Sequence, residues 1–200
     1  MLIKYLIIMV DKYLFNKEGS LKLIIGPMFS GKSTRLIQYI RSYKTLGENI
    51  IVVKPSLDKR YTELNEICTH NHDKENCICF DKDSLYNIFD DNYKKTNIII
   101  IEEGQFFANL FDIVKRMTDI DKKVVYVTGL NGDSNRELFG DIYKLIPLAD
   151  HIEFLQSLCM DCKDGTSAIY SKRIVSNNDQ ILVDGSNSYK AVCRKHFFEK

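Results

Sequence analysis

Gly26-Pro-Met-Phe-Ser-Gly-Lys-Ser33 restricts the fold of this chain more than any other feature. The segment satisfies G-x-x-x-x-G-K-[ST], a spacing that cradles phosphate only when a strand precedes it and a helix follows. Both flanks agree. Leu21–Ile25 is a short apolar run ending at a glycine, and from Lys32 the apolar residues Leu36, Ile40 and Tyr43 recur at helical spacing up to a terminating Gly47. In that setting Gly26, Pro27, Met28, Phe29, Ser30 and Gly31 curl around a phosphate, with backbone N–H groups and the helix dipole facing the anion. Lys32 then reaches the β- and γ-phosphates of a nucleotide such as ATP, and the Ser33 hydroxyl ligates Mg²⁺.

Further strand-like runs follow at Ile50–Val53, Asn97–Ile101 and Val124–Thr128, separated by polar or helical stretches such as the Leu110, Ile113, Val114, Met117 stripe. Apolar strands alternating with helices predict an α/β fold, a parallel sheet with helices on both faces. Leu85, Ile88 and Phe89 suggest a helical turn, whereas 65–83 is polar, lacks a period and reads as mostly loop. The isoleucine run ends in Glu102-Glu103, at the carboxyl edge of the sheet where a phosphate-loop protein keeps its metal-side carboxylate. Two adjacent acids on an extended strand face opposite ways. One is therefore expected to serve Mg²⁺ through water and the other to face an acceptor substrate as a base.

The texture changes near residue 150. A strand-like run at Ser167–Val175, the turn signal Ser176–Asp179 and a second run at Ile181–Val183 read as a hairpin in a small second module. Cys159-x-x-Cys162 and Cys193-x-x-His196 bracket it, and a Cys₃His set suits a closed, structural Zn²⁺ site. Cys68, Cys77, Cys79, His70 and His72 have irregular spacing and read as free thiols and ordinary histidines. The expected division is an N-terminal extension over 1–20, a phosphate-loop domain over 21–150 and a zinc-bound domain over 151–200.

Charge and hydropathy narrow the classes further. Twenty-eight basic against 27 acidic side chains give a net charge of +1, which excludes a nucleic-acid binder driven by bulk charge. The apolar opening MLIKYLIIMV is interrupted by Lys4 and closed by Asp11 and Lys12, far short of the ~20 residues that span a membrane. A soluble, cytoplasmic protein is expected, with neither nucleic acid nor membrane as partner.

Together the motifs resemble the type II thymidine kinases. The matching segments are GPMFSGKST at Gly26–Thr34, DKRY at Asp58–Tyr61, EEGQFF at Glu102–Phe107 and NRELFG at Asn135–Gly140, followed by CMDC, YSKR and Tyr189–His196. The resemblance implies a thymidine kinase that moves the γ-phosphoryl of ATP to the 5′-hydroxyl of deoxythymidine with Mg²⁺. Deoxyuridine kinase activity and a non-catalytic phosphate-loop module are the alternatives. By the same resemblance Glu103 is the catalytic base, with Lys32 and Arg60 stabilising transferred charge. Asp58, Lys59, Arg60, Glu102 and Gln105 belong to the nucleotide side, and Ser33 and Glu102 to Mg²⁺. The zinc-held loop is a lasso whose stretch Gln180, Ile181, Leu182, Val183 and Asp184 grips thymine under Tyr189. Phe106 and Phe139 line the same place. Three positions depart from the family pattern: Glu102 stands for aspartate, Ser134 for an aromatic residue and Asp184 for glycine. The stacking lost at Ser134 is expected from Phe106 or Phe139. The family also implies a homotetramer and dTTP as feedback inhibitor. Zinc is expected to support nucleoside binding and to matter little for ATP, because the phosphate loop belongs to the other domain.

Overall fold

The computed structural model describes residues 18–58, 65–69, 72–176 and 179–199. The strands of the main sheet are β1 (Ser20–Gly26), β2 (Ile50–Pro55), β5 (Ile78–Phe80), β6 (Ile98–Ile101), β7 (Val124–Leu130) and β8 (His151–Phe154). Among the described residues these six pair in the order β5-β2-β6-β7-β1-β8, every pairing parallel. Their carboxyl ends therefore share one edge. The phosphate loop follows β1, Asp58 follows β2, and Glu102-Glu103 follows β6 on that edge.

Alternation along the strands builds two cores. Leu21, Leu23, Ile25, Ile51, Val53, Ile99, Ile101, Val125 and Val127 face one way, onto α2 (Asp91–Lys95), α3 (Leu110–Lys115) and the turn at Leu85–Ile88. Ile24, Val52, Ile98, Ile100, Val124 and Tyr126 face the other way, onto α1 (Lys32–Thr45) through Leu36, Ile37, Ile40 and Tyr43. Each fully buried aliphatic side chain contributes about 1.5–3 kcal/mol, so this two-sided burial explains why the strands read as unbroken apolar runs. The α3 stripe continues to Met117 across a π-helical turn at Arg116–Ile120.

Several expectations need correction. The stretch 65–83 is not mostly loop: it holds a hairpin of β3 (Glu66–Cys68) and β4 (Lys74–Asn76), then edge strand β5, which pairs with Val53–Pro55. Three-residue strands with polar outer faces leave no period to detect. β8, within 151–200, joins the main sheet through Lys22–Ile25 and is largely exposed, so no apolar run announces it. The 181–183 run is not a strand. The hairpin pairs β11 (Tyr170–Arg173) with β12 (Tyr189–Val192), leaving 181–183 in the connecting loop. Of the expected extension, residues 1–17 lie outside the described residues, as do Asn177 and Asn178 of the turn signal.

The second module adds β9 (Ser157–Leu158), β10 (Ser167–Ala168) and α4 (Arg194–Phe198). Its core is small, formed by Cys159, Ala168, Ala191, Val192 and Cys193. So little apolar surface cannot hold a hairpin alone, and domains of this kind usually need a metal or disulfide.

Candidate active site

The phosphate loop leaves β1 at Gly26 and enters α1 through Gly31, whose φ of 85° is a left-handed conformation that a side chain would strain. Phe29 adopts φ 63° beside it. The Ser30 hydroxyl donates to Pro27 O at 2.8 Å and closes the turn. Lys32 is buried, its Nζ donating to Gly26 O at 3.2 Å and Pro27 O at 2.8 Å, so the ammonium sits against the loop itself. Ser33 is half-buried in the first helical turn. Asp58 is buried beyond β2, and Lys54 Nζ donates to its carbonyl at 3.0 Å. Lys59 and Arg60 lie outside the described residues.

Glu102 and Glu103 are both buried at the end of β6, but Glu103 is not extended. Its φ of 49° is left-handed, and it caps the short 3₁₀ turn Gly104–Phe106. Glu103 thus sits on a backbone turn and not on an extended strand, which corrects the expectation that both acids lie on the strand. The Glu102 N–H still donates to Val53 O at 2.9 Å, as a strand residue would. The Glu103 N–H donates to Thr128 Oγ1 at 3.3 Å. Gln105 fixes the carboxylate: its Nε2 donates to Glu103 Oε2 at 2.6 Å while its Oε1 accepts from the Leu130 N–H at 3.2 Å. A left-handed non-glycine residue held by such contacts is characteristic of a functional position.

Beside this turn opens a cleft. It is lined by all nine residues expected around a nucleoside: Phe106, Ser134, Phe139, Gln180, Ile181, Leu182, Val183, Asp184 and Tyr189. Met28 and Gln105, expected on the nucleotide side, line it as well. Phe106 and Phe139 meet edge to face, ring centroids 5.3 Å apart, and both line the cleft with Ser134. Gly140, at φ 58°, allows the chain to pass Gln105: a Cβ there would stand 2.2 Å from Gln105 O.

Four lining or supporting residues escaped sequence reasoning. Leu130 and Ser171 line the cleft; nothing local marks Leu130, whereas Ser171 lies in the YSKR segment, which the resemblance matched without giving it a role. Asp133 is buried and accepts from the Asn135 and Glu137 N–H groups at 2.8 and 2.9 Å through Oδ1, and from Gln180 Nε2 at 2.9 Å through Oδ2. Its place just after the glycine of Asn131-Gly132-Asp133 was the one available signal, a turn-forming cluster. Arg173 holds the loop from behind. Its Nε and Nη2 donate to Tyr189 Oη at 3.2 and 2.8 Å, and its Nη1 and Nη2 donate to the carbonyls of Asp179 and Gln180. The Tyr189 hydroxyl in turn donates to Leu182 O at 3.0 Å.

The ligand atoms of Cys159, Cys162, Cys193 and His196 all lie within 4.8 Å of one another. Tetrahedral zinc with its usual Zn–S and Zn–N bonds sets S···S edges near ~3.8 Å and S···N edges near ~3.5 Å. Here Cys162 and Cys193 Sγ are 3.7 Å apart, and His196 Nδ1 is 3.4, 3.2 and 3.5 Å from Cys159, Cys162 and Cys193 Sγ. The cluster could hold a Zn²⁺ ion. Burial pushes the Cys159 thiol up, but backbone N–H groups of Cys193, Cys162 and Asp161 outweigh burial and bring it down to about 6. His196 Nε2, the nitrogen turned away from the thiols, stands 3.3 Å from Glu199 Oε2.

The two modules touch at the phosphate loop. The Met28 N–H donates to Ser171 Oγ at 2.9 Å, and Phe29 packs on the core around Cys159 and Cys193.

The family model described as thymidine kinase matches residues 19–197. A thymidine kinase of rabbit fibroma virus (strain Kasza) is 40% identical over 181 residues, 90% of this chain and 97% of the viral one. Vaccinia virus (strain Western Reserve) thymidine kinase is 35% identical over 182 residues, 90% of this chain and 98% of that one. Thymidine kinase a of Arabidopsis thaliana is 35% identical over 184 residues, 90% of this chain and 75% of the plant protein.

Proposed function

The chain belongs to the thymidine kinase family and is a phosphotransferase acting on thymidine; we propose how its residues divide that work. ATP lies with its phosphates in the loop Gly26–Ser33, and thymidine lies in the cleft between Phe106, Phe139, Tyr189 and the 180–184 loop. The observation that supports this reading is the convergence of three elements on one cleft: Met28 of the phosphate loop, Gln105 holding Glu103, and the lasso loop under Tyr189.

Glu103 accepts the proton from the 5′-hydroxyl as that oxygen attacks the γ-phosphorus. Gln105 orients the carboxylate, so that one oxygen is held and the basic lone pairs are aimed. Lys32 moves from its loop carbonyls to the transferred phosphoryl, where its charge matters most. The Ser33 hydroxyl and Glu102 carboxylate are hard oxygen donors that suit Mg²⁺ and would hold it, directly or through its water shell. When bound, Mg²⁺ supplies neutralisation of the charge between the β- and γ-phosphates. Asp58, Lys59 and Arg60 complete the nucleotide side. Cytoplasmic location, a homotetramer and inhibition by dTTP belong to the same reading. No described helix is long and apolar enough to cross a membrane.

Photolysis with 5-iododeoxyuridine, whose iodine replaces the thymine methyl, tests the cleft. Peptide mapping is expected to place the adduct on Phe106, Phe139 or Tyr189, and thymidine is expected to protect them. An adduct outside the cleft overturns the assignment.

Zinc is assigned a supporting role: it fixes both ends of the 163–192 segment that carries the lasso loop, limiting the ordering entropy that a gripping loop must overcome. Cys162→Ser is expected to lose stoichiometric zinc by elemental analysis and to raise the thymidine KM about tenfold. Because Met28 and Phe29 rest on the same module, the ATP KM should rise too, by a smaller factor. Unchanged thymidine affinity in a zinc-free variant would refute the role.

A further inference from the structure

The Asn131–Gly140 loop covers one side of the cleft, through Asp133, Ser134 and Phe139, and among its side chains that do not line the cleft is Arg136. Arg136 points away from the cleft into a cage of rings from the zinc-bearing module. Its guanidinium lies 4.6 Å from the Phe198 centroid, 4.8 Å from Phe197 and 5.7 Å from Tyr170. Phe197 stacks in turn on Tyr170 at 5.0 Å and meets Phe198 edge to face at 5.5 Å, so the cage is one packed unit. Phe197 and Phe198 end the short helix that supplies His196.

The backbone at Arg136 is also unusual. Its φ of 67° is left-handed, a conformation that a non-glycine side chain adopts only where its surroundings impose it. Within the loop, the Arg136 N–H donates to Asp133 O at 3.0 Å, and Asp133 holds Asn135 and Glu137 on either side. That tight turn presents Arg136 to the rings and Ser134 to the cleft. Asn131 Nδ2 adds a second tie across the modules, donating to Ile169 O at 3.1 Å.

We propose that Arg136 is a positioning residue for thymidine: clamped by Phe197, Phe198 and Tyr170, it sets the loop that carries Ser134 and Phe139 against the nucleoside. The inference rests on the cleft being the thymidine site. It gives the Cys/His cluster a second route to the substrate, through α4 and the cage, beside the route through the lasso loop, whose Gln180 Nε2 donates to Asp133 Oδ2 and Leu138 O. Guanidinium–ring contacts at exposed positions are individually modest, and the Asn131 and Asp133 anchors persist without them, so the effect is graded rather than absolute.

Arg136→Met is expected to raise the thymidine KM three- to tenfold while kcat and the ATP KM stay within twofold and zinc content stays unchanged. Arg136→Lys, which keeps the charge but loses the planar face, should fall between. Phe198→Leu, at an exposed position with little bearing on folding, should repeat the KM split, and combining it with Arg136→Met should add nothing further. A thymidine KM unchanged in Arg136→Met, with 5-iododeoxyuridine still labelling the cleft, overturns this inference alone. Thymidine and ATP KM rising together, or zinc lost from the variant, also overturns it, since Arg136 would then support the fold or the metal site. Labelling outside the cleft in the unaltered protein overturns the nucleoside assignment itself, and this inference with it.

Discussion

Glu103→Gln should lower kcat by roughly 10²–10⁴-fold, the range associated with loss of a positioned general base, while ATP and thymidine still bind. The substitution is nearly isosteric, and glutamine keeps an oxygen able to accept from Gln105 Nε2, now 2.6 Å from the carboxylate. Backbone strain at φ 49° is the same for both residues, so the defect reports basicity rather than shape. Steady-state kinetics with binding titrations separate the two, and near-normal turnover would remove Glu103 from the role. Glu102→Gln offers the contrast. Its defect should shrink as Mg²⁺ is raised, because that carboxylate serves the metal side.

Lys32→Ala should abolish detectable phosphoryl transfer in a radiolabelled-ATP assay. The alanine removes the point charge that stabilises the transferring group. Its structural effect is a separate matter. Lys32 Nζ now satisfies Gly26 O and Pro27 O from a buried position, so the variant also leaves two carbonyls to water. A net intramolecular hydrogen bond is worth about 1 kcal/mol, which leaves the chain folded at assay temperature. Retention of full activity would contradict the phosphate-loop assignment.

Much of this architecture is legible in the residues because the informative parts are buried on two faces or repeat a strict spacing. Ile98–Ile101 has no polar face to hide it, and Gly26–Ser33 must lie between strand and helix to function at all. The Cys/His pairs are legible for a different reason: metal geometry demands their spacing. What stayed hidden is what tertiary contacts decide. β5 and β8 are edge strands with exposed residues, stabilised by pairing with β2 and β1 rather than by their own pattern. Ile181–Val183 has the composition of a strand, yet its apolar side chains are used to line a cleft. The left-handed turn at Glu103 is held by Thr128, 25 residues away, and by Gln105, itself tied to Leu130 another 25 residues on, contacts that no local window contains. Arg173 and Asp133 are ordinary charged residues until the loop they hold is in view.

The bond from the Met28 N–H to Ser171 Oγ joins a phosphate-binding turn to a strand that borders the nucleoside cleft. Met28 itself lines that cleft, so in the proposed arrangement one residue faces both substrates. Reciprocity then constrains the two affinities: whatever factor thymidine imposes on ATP binding through this seam, ATP must impose on thymidine.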